Sequence, residues 1–321
     1  ENPYTVPGHL SVIPDPSLKP WMVALIFAGD PETLGKDGLC ATLLDLHRQG
    51  IIRIEEQPDG KNLTITILNS SSPDAYEQTV LTILDRISSG GIIDTSALAA
   101  MADQAPSDTA VQTTLLAYQQ ELKSLESYSS SVLASRYIED GRGYLIPFII
   151  IPIIWFLVSV FAGIAGFDGG NAALGFSAAL MSAAALIEGI IAIVSPATLF
   201  GRWKGDTYRE KLEWDSFRSF LSDAALIRRY APADLGMWGD WLVYGTALGV
   251  GDRVVKMMNE LNVTLPDFSP GSGMGVVGPA LLYSSFTPVT AFSPPSSGSG
   301  GGLGGGFGGG GGFGGGGAGG W

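Results

Sequence analysis

The chain has 321 residues, of which 45% are hydrophobic, and a formal charge of -13. An acidic balance of this size argues against general nucleic-acid binding, which needs clustered Lys and Arg to meet phosphates. The single cysteine, Cys40, excludes an internal disulfide and fits a reducing compartment.

Residues 1–19 read as an extended leader. No basic segment followed by a short apolar core stands at Glu1, so no signal peptide is expected in the sequence. Residues 20–138 form the first soluble module. Over residues 36–50, Leu39, Leu43, Leu44 and Leu46 supply one apolar helical face, and Gly50 stops the helix. Residues 51–56 and 63–68 alternate apolar with polar side chains, and Pro58, Asp59 and Gly60 between them are turn residues. Helix followed by hairpin is the pattern of a winged helix. Residues 76–88 predict an amphipathic helix through Val80, Leu81, Leu84 and Ile87, and residues 109–137 a long one leading toward the next segment.

A winged helix invites DNA, but residues 30–70 set Lys36, Arg48, Arg53 and Lys61 against seven acidic residues. Protein interaction is the favoured reading of that module. His47 and Cys40 lie seven residues apart and have no further ligands of convincing spacing, so no metal site is assigned.

Residues 144–166 and 172–200 are two apolar stretches, each with about 20 or more residues, enough to cross roughly 30 Å of hydrocarbon as a helix. Asp168, Gly169, Gly170 and Asn171 form the turn of this expected transmembrane hairpin, residues 144–200. Arg136 and Arg142 precede it, Arg202, Lys204, Arg209 and Lys211 follow it, and the turn holds no base. Both ends are therefore expected in the cytoplasm. Tyr144, Trp155 and Trp203 are candidate interfacial rings, and Pro147 and Pro152 predict a bent first helix. Gly163, Gly166 and the small residues over 172–175 and 177–185 permit close helix approach, within the hairpin or between copies. Glu188 is the candidate intramembrane functional residue, because a carboxyl in lipid demands a partner or water. Its structural alternative is snorkelling, since about 17 residues separate it from the turn, roughly 26 Å along a helix.

Residues 207–262 form a second, helical module. Residues 208–225 carry an apolar stripe of Leu212, Trp214, Phe217, Phe220, Leu221 and Ala224. Trp214, Phe217 and Leu221 are the candidate interaction residues, and the stripe either lies on the bilayer interface or packs against residues 238–250. Residues 254–261 continue as a helix, and Pro266 and Pro270 end regular structure. Residues 263–321 are expected to be a disordered Pro/Ser/Gly-rich tail with spaced Leu303, Phe307, Phe313 and Trp321. A phosphate-binding loop there would need a flanking strand and helix, which the pattern lacks. The fold class expected is α+β and mostly helical.

Residues 20–27, then Lys36, Asp37, Ala41, Thr42, Leu43, Leu44, Asp45, Leu46, Gly50 and Ile54, resemble the predicted membrane proteins grouped as domain of unknown function 2207. Trp214, Phe217, residues 220–223, Trp241, Leu242, Tyr244 and residues 247–250 and 254–256 look like that family's region after its transmembrane pair, and the Gly-rich tail is similar too. The resemblance implies an upstream extracellular β-rich domain and a further transmembrane helix, with Glu1 just inside the membrane. It implies no catalytic residues, because the family has no established activity.

With His9 and His47 the only imidazoles and no partner motif near either, no catalytic or cofactor-binding residue is assigned. The expected partners are the lipid bilayer and a protein partner or second copy, with nucleic acid not favoured. The leading reading is a non-enzymatic membrane-anchored scaffold or signalling component. An oligomeric transport or channel component using Glu188, and a membrane-tethered DNA-binding regulator, are the alternatives.

Overall fold

Pro20 has its φ set for a first helical turn and opens α1 (Pro20–Val23), which runs directly into a π-helical turn over Ala24–Ala28. Trp21, Val23, Leu25, Ile26 and Phe27 are all buried, so this segment is enclosed on every side. The computed structural model describes residues 5–29, 33–166, 172–194, 201–231, 234–265 and 276–294.

Helix α2 (Gly35–Arg48) ends as its sequence predicts. Gly50 adopts φ 69°, its N–H bonds the His47 carbonyl, and the Ile51 N–H reaches Leu46, which together close the last turn. Strands β1 (Ile52–Glu56) and β2 (Leu63–Ile67) follow as an antiparallel pair. Ile52, Ile54, Leu63 and Ile65 turn inward, the period-two face that the alternation predicted. His47 covers the outer edge of β1, its Nδ1 lying 3.2 Å from the Ile52 carbonyl and 3.3 Å from the Ile54 N–H.

After α3 (Ala75–Ile87) comes a strand absent from the sequence reading, β3 (Ile92–Asp94), which adds to β2 in the order β1-β2-β3. Helix α4 (Thr95–Gln104) starts at once behind it. Asp74, Asp94 and Asp108 each accept backbone N–H bonds at a helix start, so part of the acidic charge serves capping. The single helix expected over residues 109–137 is two, α5 (Thr109–Glu126) and α6 (Ser131–Tyr137). Tertiary contacts override the helical pattern at the break. Tyr128 packs its ring 4.6 Å from Tyr76 and 5.6 Å from Trp21, its carbonyl accepts the Leu34 N–H, and Ser130 caps α6.

Next stand β4 (Ile138–Glu139), the apolar helices α7 (Pro147–Ala165) and α8 (Ala172–Val194), and β5 (Arg202–Trp203). Residues Gly143–Ala165 and Ala172–Val194 are long and apolar enough to cross a membrane, with mean hydropathies of 2.7 and 2.1. Little of either is buried. The pair is antiparallel: Gly163 lies against Gly175, and at the other end Gly189 lies against Phe148. Pro152 has no N–H for the Phe148 carbonyl four residues earlier. α8 comes close to that carbonyl, since a Cβ on Gly189 would stand 2.9 Å from its oxygen. The expected turn at Asp168–Asn171 lies outside the described residues. β4 and β5 pair antiparallel, Ile138 with Trp203 and Glu139 with Arg202, and thereby close the base of the hairpin.

The chain then forms α9 (Thr207–Ser222), α10 (Ala224–Tyr230), α11 (Leu235–Ala247) and α12 (Gly251–Glu260). Buried side chains before and after the hairpin form one continuous cluster, from Trp21 to Val289, where the sequence suggested separate modules. Arg48 of α2 bonds Asp45 at 2.6 Å and also pairs with Asp240 of α11, fastening the two parts. Part of the expected disordered tail is a helix, α13 (Pro279–Thr290). Pro279 starts it, and Leu282, Phe286 and Val289 bury at helical spacing, which gives this segment the core contact it was thought to lack. The Gln119 side chain on α5 donates to the carbonyls of Val289, Thr290 and Phe292 at α13's end. Pro266, Pro270 and the Gly-rich residues after 294 lie outside the described residues.

Candidate functional site

A cleft of about 230 Å³ opens where α2, the corner between α11 and α12, and α13 converge. The corner itself is built by glycine. At the end of α11, Gly249 adopts φ 74°, and the N–H groups of Gly249 and Val250 bond the carbonyls of Thr246 and Gly245. A Cβ on Gly249 would stand 3.2 Å from the Asp37 carboxylate, and one on Gly251 would overlap Thr246 and stand 3.0 Å from the Pro279 ring. Without side chains at these two positions the corner closes onto α2 and α13. Asp252, the second residue of α12, accepts the Ala280 N–H at 3.0 Å and so caps α13 from a neighbouring helix.

Lys36, from the first turn of α2, places its ammonium over the Tyr283 ring, 4.9 Å from the centroid. Asp37 beside it is held above the ordinary carboxylate range, foremost by burial and further by Asp252, with Lys36 and Arg218 opposing. Burial also pushes the Cys40 thiol up, and Asp37, Glu126 and Asp252 add to the effect. The thiol thus stays protonated and is a poor nucleophile. Its Sγ lies 3.9 Å from the Pro279 carbonyl. Glu126, raised mainly by burial, lines a narrow apolar fissure that shares Cys40 and Tyr283 with the cleft. Among the described residues no three His, Cys, Asp or Glu side chains are placed to hold a metal ion. The arrangement suits binding of a cation.

The residues singled out by sequence fall elsewhere. Glu188 is exposed on the outer side of α8, one residue from the Gly189 contact. Trp214, Phe217 and Leu221 are 0% exposed. As candidate interaction residues they are corrected, since the chain's own core covers them; the stripe packs against the π-helical turn after α1 and against α11, the second of the two placements the sequence left open. Trp214 stacks between Phe27 at 5.7 Å and Tyr244 at 5.7 Å, and Phe27 stacks in turn on Trp203 of β5 at 5.9 Å. An aromatic column therefore runs from the base of the hairpin into the core.

From the sequence, Lys36 and Asp37 counted only toward a charge balance and, with Gly249, toward a resemblance, while Asp252 and Tyr283 were missed. Two glycines before an acidic first helical turn were a visible signal for the corner. Tyr283 was hidden in a segment set aside as tail.

No curated protein and no solved structure matches the chain. Residues 7–258 match the model of a family described as predicted membrane protein (DUF2207) C-terminal domain, which takes in most of the shared core, the apolar hairpin and the Lys36, Asp37 and Asp252 side of the cleft. Since that match spans most of the sequence, the chain belongs to the DUF2207 family of predicted membrane proteins.

Proposed function

We propose that the protein is a non-enzymatic, membrane-anchored interaction component, whose α7 and α8 cross the bilayer as a hairpin and whose shared core stands on the cytosolic side as a platform for another protein. The pairing of β4 with β5 carries this reading. It holds the two ends of the hairpin together, so the segments before α7 and after α8 emerge on one side. The bases Arg136, Arg202, Lys204 and Arg209 flank the hairpin and orient that side inward by the positive-inside rule. α2 is followed by the β1–β2 hairpin, and the acidic balance of this module suits protein better than DNA.

Two measurements test this. Asn171→Cys is expected to react with a membrane-impermeant thiol reagent on intact cells, and Lys204→Cys only after permeabilisation; Cys40 is buried and contributes little background. The reverse pattern, or extraction of the protein into buffer without detergent, would overturn the topology. Membrane-preserving crosslinking is expected to trap a protein at the platform, and recovery of none would sink the interaction role.

A further inference from the structure

We propose that the cleft between α2, the α11–α12 corner and α13 binds a small primary amine, whose ammonium takes the seat over Tyr283 that Lys36 occupies. The seat is already shown to suit an ammonium, because the chain places one of its own there. An aromatic face attracts a cation through its quadrupole, and Asp37 and Asp252 on the cleft wall supply acceptors for its N–H groups. Glu126 adds a third carboxylate from the adjoining fissure, and the thiol of Cys40 feels Asp37, Glu126 and Asp252 together with Lys36. An anionic ligand would meet these carboxylates at close range.

Size and lining restrict the guest further. A space of about 230 Å³ accepts a short aliphatic chain, which the apolar atoms of Cys40, Pro279 and Ala280 can cover. Lys36 is exposed and flexible, so its ammonium can return to water when a guest arrives. It acts as a tethered competitor. This inference rests on the cleft alone and stands whether or not the platform docks a protein.

The test uses the full chain in detergent micelles, with 1,4-diaminobutane as probe and 1,4-butanediol as its uncharged counterpart. The diamine is expected to raise the unfolding temperature and to give a saturable titration, while the diol does neither. Asp37→Asn, which removes a partly buried charge and leaves the side-chain shape, is expected to weaken binding by about ten-fold, the size of a lost charge-assisted hydrogen bond. Lys36→Met is expected to tighten it, because the tethered competitor is gone. An equal response to the diol, undiminished binding in folded Asp37→Asn, or unchanged affinity in Lys36→Met would each overturn the proposal. Nα-acetyl-lysine methylamide binding as tightly as the diamine would overturn the small-ligand assignment and give the seat to a lysine of a partner protein.

Discussion

At Asp37 the fold keeps a carboxyl where its charged form is disfavoured, beside Asp252 and partly out of water. The folded chain holds that proton more tightly than the unfolded chain does, where the ordinary value is 3.8. Such a group costs stability increasingly as pH rises from below 3.8 through its raised folded value, and the full cost is present at neutral pH. Asp37→Asn is therefore expected to raise the unfolding temperature at pH 7, with the difference from the native chain vanishing near pH 3 in micelle-based thermal scans. A lower unfolding temperature at pH 7 would show that the carboxylate is held by something stronger than its burial. Within the hairpin, Gly175 meets Gly163 so closely that a Cβ would overlap its backbone. Gly175→Leu should destabilise the helix pair by about 1–3 kcal/mol, the range for overpacked sites, measured by denaturant titration in micelles.

Among the elements, α13 decides how much of the C-terminal region belongs to the folded body. Leu282 is 0% exposed, and Leu282→Ala is expected to cost about 2–5 kcal/mol, read from the urea midpoint of the micelle-bound protein. No change would mean that the helix is peripheral. This element was poorly legible because its apolar residues alternate with Ser, Thr and Pro and adjoin a Gly-rich run, so composition masked the spacing of Leu282, Phe286 and Val289. By contrast α2, β1 and β2 were legible because their hydrophobic period matches their structure, and α7 and α8 because an uncharged run of that length is hard to hide. The break between α5 and α6 was only partly legible: Ser130 is a local capping residue, but the break also depends on Tyr128 meeting Trp21 and Tyr76, residues distant in sequence. The cleft follows the same logic. Lys36 and Asp37 read as ordinary charges at a helix start until α13 brings Tyr283 under the Lys36 ammonium and into the same cleft as Asp37.

For the molecule as a whole, the aromatic column from Trp203 through Phe27 and Trp214 to Tyr244 ties the hairpin base to the core. Phe27→Ala is expected to lower core stability by about 3–5 kcal/mol, measured by denaturant titration, and to leave membrane insertion unchanged, measured by carbonate extraction. Loss of insertion would show that the two apolar helices depend on the core for their placement.

The paired strands at Glu139 and Arg202 carry one more consequence. Because these two residues sit directly opposite each other, the greasy helices are a detachable insert looped out of an otherwise water-compatible body. Replacing residues 140–201 with Asn-Gly, the tightest natural link between antiparallel strands, should splice the body shut and yield a detergent-free miniature that keeps the cleft intact.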